Sequence, residues 1–268
     1  MAISETAYLY DLYLVPGWCE FFDRMIEEEV RLPKEGRILD VACGSGGLAI
    51  DLALRGSEGM EVVGIDVDPA LIALAEGKAG IRQASRLQFL AGSLGTLPLE
   101  RESFEVVIAD FSLIPWRAAP CEVRDLLPLA RKDATLVLKL ATRGTFDEFF
   151  SLYWEALYDL GLTDLSPRLE ALIESRLTVA EAERTAHEAG WRHVHSLLRT
   201  ERLEYPDAAT FFSSPVIRTA FLDSWLAILP DSTTRQAVVD QVSRILDRER
   251  QDGPFDLSVK TTLLLAQK

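Results

Sequence analysis

Ten residues near the start of the chain, Ile38-Leu-Asp-Val-Ala-Cys-Gly-Ser-Gly-Gly47, combine small side chains with a single acid. Where a strand hands over to a helix, small residues let a ligand approach the backbone, because glycine carries no β-carbon. A helix opening near Gly47 offers N–H groups that lack acceptors of their own, a seat for a carboxylate or a phosphate. Ala42, Cys43, Gly44 and Gly46 line this turn as candidate ligand contacts. Asp40 stands four residues before Gly44. There its carboxylate can engage a cationic amino group, directly or through water, and it would be a poor neighbour for pyrophosphate. Gly44-x-Gly46-x-x-Ala49 also satisfies the dinucleotide pattern G-x-G-x-x-G/A. Two ligand classes therefore exploit such a turn: dinucleotides through pyrophosphate, and S-adenosylmethionine through its amino-acid end. Asp40 favours the second. A tight strand–helix turn with an incidental acid is the plain structural alternative.

Further acids fall at predicted strand ends. Gly64-Ile-Asp66-Val-Asp68-Pro69 ends the second strand. Asp66 is placed to accept ribose hydroxyls, a role common to both ligand classes. Asp68 before Pro69 reads as a helix N-cap, while Ile65 and Val67 flank an adenine face. Asp110 ends the fourth strand, at the carboxyl edge where open α/β sheets bind ligands. It is read both as a cofactor contact and as the best-placed acid for the acceptor. His193 and His195 lie two apart, so they share a face of a predicted strand. They are candidate bases, with solvated imidazoles on an edge strand as the alternative.

The elements that must position these residues follow from periodicity. Apolar strands are predicted over 37–42, 60–66, 86–91, 103–110 and 134–141, with helices over 47–55, 69–78 and within 117–131. Strands alternating with helices imply a parallel sheet covered on both faces. The last third reads as helix-rich with aromatics over 145–175. A capping box at Thr178-Val-Ala-Glu181 opens a helix that stops at Gly190. A strand over 191–205, helices over 206–229 and 231–250, and a final strand over 256–267 follow. The reading is one domain over residues 1–268. Its N-terminal helical lid spans 1–30, and helical insertions at 142–177 and 206–253 cover the substrate site.

With these elements in place, the chain resembles the class I S-adenosylmethionine-dependent methyltransferases. The resemblance rests on Ile38–Gly47, Val62–Asp68, Leu90-Ala-Gly-Ser-Leu-Gly-Thr-Leu-Pro98 and Ser103-Phe-Glu-Val-Val-Ile-Ala-Asp110, in that order. It is similar to the small-molecule branch that includes ubiquinone- and menaquinone-biosynthesis enzymes, where Tyr10-Asp11 also fits. It covers residues 8–141 and weakens to general topology beyond them. It implies a Rossmann-like, seven-stranded, mostly parallel sheet with helices on both faces, the last strand antiparallel. It also implies S-adenosyl-L-methionine as cofactor and methyl transfer to O, N or C of a small molecule. The family's third-strand motif has an acid on the adenine amino group; in this chain Gly92-Ser93-Leu94 puts a hydroxyl, with the Leu94 N–H, in that place. Tyr10, Phe111, Trp116 and Phe146 are the candidate substrate contacts. After Ala109 the chain reads Asp110-Phe-Ser-Leu, without the Asn-Pro-Pro-Tyr signature of nucleobase or amide nitrogen methylation.

Bulk properties narrow the partners. A net charge of −14 and a pI of about 4.7 oppose a polyanion, so nucleic acid is not expected. No apolar run spans a bilayer and no secretory signal opens the chain, which points to a cytoplasmic protein without a membrane partner. Three cysteines without paired spacing and three histidines leave little material for a disulfide framework or a metal site. The apolar C-terminal helices leave a homodimer open. Two other functions compete: a NAD(P)-dependent oxidoreductase, which lacks a Tyr-x-x-x-Lys in this chain, and a non-catalytic binding module with a methyltransferase fold.

Overall fold

The chain forms an α/β structure. The computed structural model describes residues 4–113, 122–249 and 253–268. Its N-terminal stretch is continuously helical. It runs as α1 (Glu5–Leu9), a π-wound segment Tyr10–Cys19 containing Pro16, and α2 (Glu20–Glu29). Wide π turns in a helix often mark functional sites. Then strands and helices alternate: β1 (Glu35–Val41), α3 (Gly47–Arg55), β2 (Gly59–Asp66), α4 (Pro69–Arg82), β3 (Leu87–Ala91) and β4 (Phe104–Asp110). They continue as α5 (Val123–Leu126), β5 (Ala130–Ala141), α6 (Asp147–Asp159), α7 (Ser166–Ile173), α8 (Val179–Glu188) and β6 (Arg192–Tyr205). Short helices α9 (Ala208–Ser213), α10 (Pro215–Ile217) and α11 (Asp223–Leu226) precede the long α12 (Ser232–Glu249) and β7 (Phe255–Gln267).

The seven strands lie in the order β3-β2-β1-β4-β5-β7-β6. β1 to β5 pair in parallel. The Lys268 N–H donates to the Ala134 carbonyl and the Thr142 N–H to the Lys260 carbonyl, so β7 runs antiparallel to β5. This is the Rossmann-like, mostly parallel sheet expected. Ile38, Leu39, Val62, Val106, Val107, Ile108 and Leu136 are all at most 3% exposed. Near-continuous apolar runs are what a sheet covered on both faces requires, each such side chain contributing about 1.5–3 kcal/mol by burial. The strand order reverses between β1 and β4, and the carboxyl ends of strands at such a reversal form a crevice for ligands.

Three stretches differ from expectation. Between β4 and β5 the described helix is a single turn, α5, and β5 starts at Ala130, four residues before the predicted strand. The expected helix over 206–229 is divided into short pieces, because Pro215 opens a new helix and residues 218–222 are π-wound. The single domain read from the sequence divides into two compact units. One comprises residues up to 140, 178–198 and 261–268; the other comprises 141–177 and 199–260. The second unit spans both predicted helical insertions and has its own aromatic core. Phe149 stacks on Trp225 with centroids 4.4 Å apart, Phe146 meets Phe221 edge-on at 4.9 Å, and the buried Tyr153 hydroxyl donates to the Trp225 carbonyl at 3.1 Å.

Candidate active site

The first unit brings four charged side chains to the carboxyl ends of neighbouring strands. Asp40 pairs in register with Gly64 of β2 and Ile108 of β4, and Asp110 pairs with Lys139 of β5. Adjacent register explains the ion pair of Lys139 Nζ with Asp110 Oδ2 at 2.7 Å; the same ammonium meets Asp23 Oδ1 of α2 at 2.8 Å. Asp110 Oδ1 accepts from the Ser112 N–H at 2.9 Å and hydroxyl at 2.6 Å, and Ser112 Oγ accepts from Trp18 Nε1 at 3.0 Å. Lys139 is 4% exposed. Burial pulls its pKa down, but Asp110, Asp23 and Asp40 more than reverse this and hold it well above the ordinary lysine value.

Asp40 is different. It is 1% exposed, and among the described residues neither carboxylate oxygen has a hydrogen-bond partner. Burial, opposed by Lys139 and reinforced by Asp23, Asp110 and Asp66, raises its pKa to about 7. Buried polar groups are nearly always bonded, so an orphaned carboxylate facing a hollow calls for a donor from outside the chain. That hollow, about 290 Å³, is lined by Tyr10, Asp23, Asp40, Ser45, Asp110 and Lys139 among others.

The turn after β1 is held from both sides. The Cys43 N–H donates to the Ile65 carbonyl at 3.0 Å, and the Gly44 N–H to Asp66 Oδ2 at 2.9 Å. Asp66 Oδ1 takes the Asp68 N–H at 2.9 Å, and Asp68 caps α4 through the Ala70 N–H at 2.8 Å. Burial raises the Asp66 pKa against the pull of these amides. Gly44 and Gly46 lie at φ of 56° and 75°. A β-carbon on Gly44 would strike the Tyr10 ring, and one on Gly46 would strike Phe89. The turn thus carries two glycines for two separate close approaches. Ser45 Oγ donates to Asp11 Oδ1 at 2.5 Å, and Lys78 joins the same carboxylate, which ties the π-wound segment to the turn. A second hollow, also about 290 Å³, adjoins the first at Ala42; Val41, Ile65, Asp66, Val67, Ser93 and Leu94 contribute to its walls.

Not every expected residue joins this cluster. His193 and His195 are exposed and line another hollow of about 760 Å³ with Thr135 and Gln267. Thr135 is four register steps from Lys139 toward the amino end of β5, roughly 13 Å at 3.3 Å per residue. The two histidines line this hollow together and are not among the residues lining the hollow of the acidic cluster. Asp110 is in the cluster with both oxygens engaged, so it acts as the counter-ion of Lys139 and not as a free base. Phe111 follows it, buried, with its N–H on the Lys139 carbonyl. Phe146 belongs to the aromatic core of the second unit, and Trp116 lies outside the described residues.

Residues 32–150 match the family described as a methyltransferase domain. The match covers less than half of the chain, and over this stretch the chain is similar to that family. The demethylmenaquinone methyltransferase of Deinococcus radiodurans is 30% identical over 164 residues, covering 56% of this chain and 64% of the relative. The malonyl-[acyl-carrier protein] O-methyltransferase of a Paenibacillus species is 24% identical over 183 residues, covering 67% of this chain and 64% of the relative. The chain thus spans just under two thirds of the length of these two relatives. The YcgJ protein of Bacillus subtilis superposes with a TM-score of 0.61 over 93% of this chain and 98% of its own, at 14% identity, a likeness of fold.

The first unit holds two charged residues that motif patterns do not single out, Lys139 and Asp23. Lys139 interrupts the apolar run Leu136-Val-Leu-Lys-Leu-Ala141 near the carboxyl end of a strand, a signal present in the sequence. Asp23 sits beside Phe22 on the buried side of α2, where nothing local marks it. Ala42 suits the turn by its small size, but its φ of 57° is a left-handed conformation that L side chains resist. Ala42→Gly should therefore stabilise the protein by about 0.5–1 kcal/mol, the relief of strain less the added freedom of the unfolded chain. Thermal unfolding checks this through a rise in Tm of about 1–4 °C; a fall would show that the β-carbon is needed for packing.

Proposed function

We propose that the protein binds S-adenosyl-L-methionine and transfers its methyl group to a small-molecule acceptor. The observation that carries this reading is the buried, unbonded Asp40 carboxylate beside the opening of α3. A cationic amino group satisfies Asp40, while N–H groups of the first turn of α3 receive the neighbouring carboxylate. Asp66 keeps acceptor capacity for ribose beyond its two backbone bonds, and Ile65, Val67 and Leu94 offer an apolar slot for the base. A dinucleotide would instead set its pyrophosphate among Asp40, Asp23 and Asp110, a repulsive position.

The cofactor supplies a methyl group on a sulfonium whose leaving group is a neutral thioether. The protein's share is to align the acceptor and exclude water, and alignment alone supplies about 7–11 kcal/mol. Lys139 pairs with both Asp23 and Asp110, which leaves Asp40 as the acid that meets the ligand. Tyr10, raised well above its ordinary pKa by burial and by Cys19, and Cys19, pushed up to about 12 by burial, stay protonated at neutral pH. They hydrogen-bond and shape the pocket without acting as bases. The relatives' printed names cover a quinone precursor and a malonyl thioester carrier, so the proposed acceptor is a small molecule of unassigned class. Calorimetric titration with S-adenosylhomocysteine, with NADH as the control, tests the reading. Micromolar binding of the first alone is expected; preference for NADH, or no binding of either, would overturn it.

A further inference from the structure

We propose that His193 and His195 bind a divalent transition-metal ion of the imidazole-seeking class, such as Cu2+, Ni2+ or Zn2+. The site stands apart from the S-adenosylmethionine reading and does not depend on it. Both histidines line the hollow of about 760 Å³ that Glu29 and Arg31 also wall, and both are exposed. All four residues belong to the first unit. Neutral imidazole suits ions of this class, and affinity rises toward Cu2+.

The hydrogen count prepares His195 as a ligand. Its Nδ1 lies 3.2 Å from the His193 carbonyl oxygen. A carbonyl oxygen only accepts, so Nδ1 carries the proton and Nε2 of the neutral ring keeps its lone pair. A ring N–H held by a backbone carbonyl is the usual support of a metal-ligating histidine, because it fixes the tautomer and makes the other nitrogen more basic. His193 offers that carbonyl from a left-handed backbone, with φ at 50°, a conformation that L side chains resist. One strained residue thus orients the second imidazole and contributes the first. The wall charges of Glu29 and Arg31 are opposite, and α2 tips the balance. Glu29 is its last residue, and its last turn holds no basic side chain. The negative end of the helix therefore adjoins the hollow and favours a cation, as does the net charge of −14. Among the described residues no group of three His, Cys, Asp or Glu side chains could hold an ion. The protein thus supplies two imidazoles and water completes the shell, which suits an exchangeable ion more than an enclosed structural one. Mg2+ and Ca2+, which take six or more oxygens, are poorly served.

The test titrates the metal-free protein with Cu2+ and Zn2+, with Mg2+ as control, and repeats the titrations on His193→Ala, His195→Ala and His187→Ala. One equivalent should bind the wild type with micromolar Kd, more tightly for Cu2+ than for Zn2+, while Mg2+ does not bind at the same concentrations. Either of the first two substitutions should weaken binding more than tenfold. His187→Ala, in α8, should leave it unchanged. The electron paramagnetic resonance spectrum of the Cu2+ form should show nitrogen ligation that both variants lose. His193→Gly separates the site from the fold. Glycine accepts a φ of 50° without strain, so the metal-free variant should unfold no earlier than wild type, yet lack the rise in Tm that Zn2+ gives the parent. Absence of saturable binding to the wild type, binding that survives both alanine substitutions, or a Zn2+-dependent rise kept in His193→Gly overturns the proposal.

Discussion

Asp40→Asn is expected to weaken S-adenosylhomocysteine binding about 100-fold at pH 8 and, at the same pH, to make the free protein more stable. Both effects come from the carboxylate that burial holds neutral up to a pKa of about 7. Between about pH 4 and pH 7 the folded state keeps a proton that the unfolded state has lost, so the wild type loses stability as pH rises through that window. Three pKa units correspond to about 4 kcal/mol. The amide carries no such penalty, but it leaves a polar group buried without partners at a cost of about 1–3 kcal/mol. The net gain expected at pH 8 is thus about 1–3 kcal/mol, shrinking toward pH 4. Binding runs the other way. An ammonium needs the ionised acid, so wild-type affinity should rise about tenfold per pH unit from pH 5 to pH 7 and then level off. In the variant it should stay flat over that range. Denaturation and calorimetry across pH 5–8 supply both profiles. A variant less stable than the parent at pH 8, or one that keeps the rising profile, would assign the ammonium site elsewhere.

Lys139→Met should produce the largest loss of stability of any single change at this site, about 3–5 kcal/mol. The substitution leaves Asp110 and Asp23, bonded to Lys139 at 2.7 and 2.8 Å, as buried acids without their counter-ion. A chain of this length should lose about 10 °C in Tm. The deficit is pH-dependent with a definite sign. Unpaired buried carboxylates titrate high, so lowering the pH neutralises them and the difference from wild type should narrow toward pH 4. Adding Asp23→Asn and Asp110→Asn to Lys139→Met should restore part of the loss at neutral pH. Equal instability at pH 4 and pH 8, with no rescue in the triple variant, would point to lost packing and not to stranded charge.

The residues near the glycine turn are legible in the sequence because their signals are local. The apolar run ending at Asp40, the glycines at 44 and 46 and the Asp68-Pro69 cap each act within a few residues, and α3 begins at Gly47 as its sequence suggests. The capping box at Thr178 forms for the same reason: Thr178 and Glu181 exchange bonds over three residues. What escapes a local reading is set by distant pairing. Lys139 finds Asp23 across 116 positions, and only strand order brings Asp110 beside it. The histidines show the limit of a strand period. Two-residue spacing fixes the face of a strand, but position along the sheet depends on how β6 aligns with β7 and β7 with β5, which no local pattern encodes. The helix expected over 206–229 breaks at Pro215, whose missing N–H ends one helical piece and starts the next.

The second unit's core is made of rings that pack on one another, with Trp225 in contact with Phe146, Phe149, Phe150, Phe211 and Phe221. Such a cluster behaves like a self-supporting cassette. A substitution on its outer helices is absorbed by neighbours within residues 141–177 and 199–260, while the acids of the glycine turn are held by bonds inside the other unit. A protein engineer could therefore randomise the exposed positions of this unit's helices as a library while keeping its ring cluster fixed.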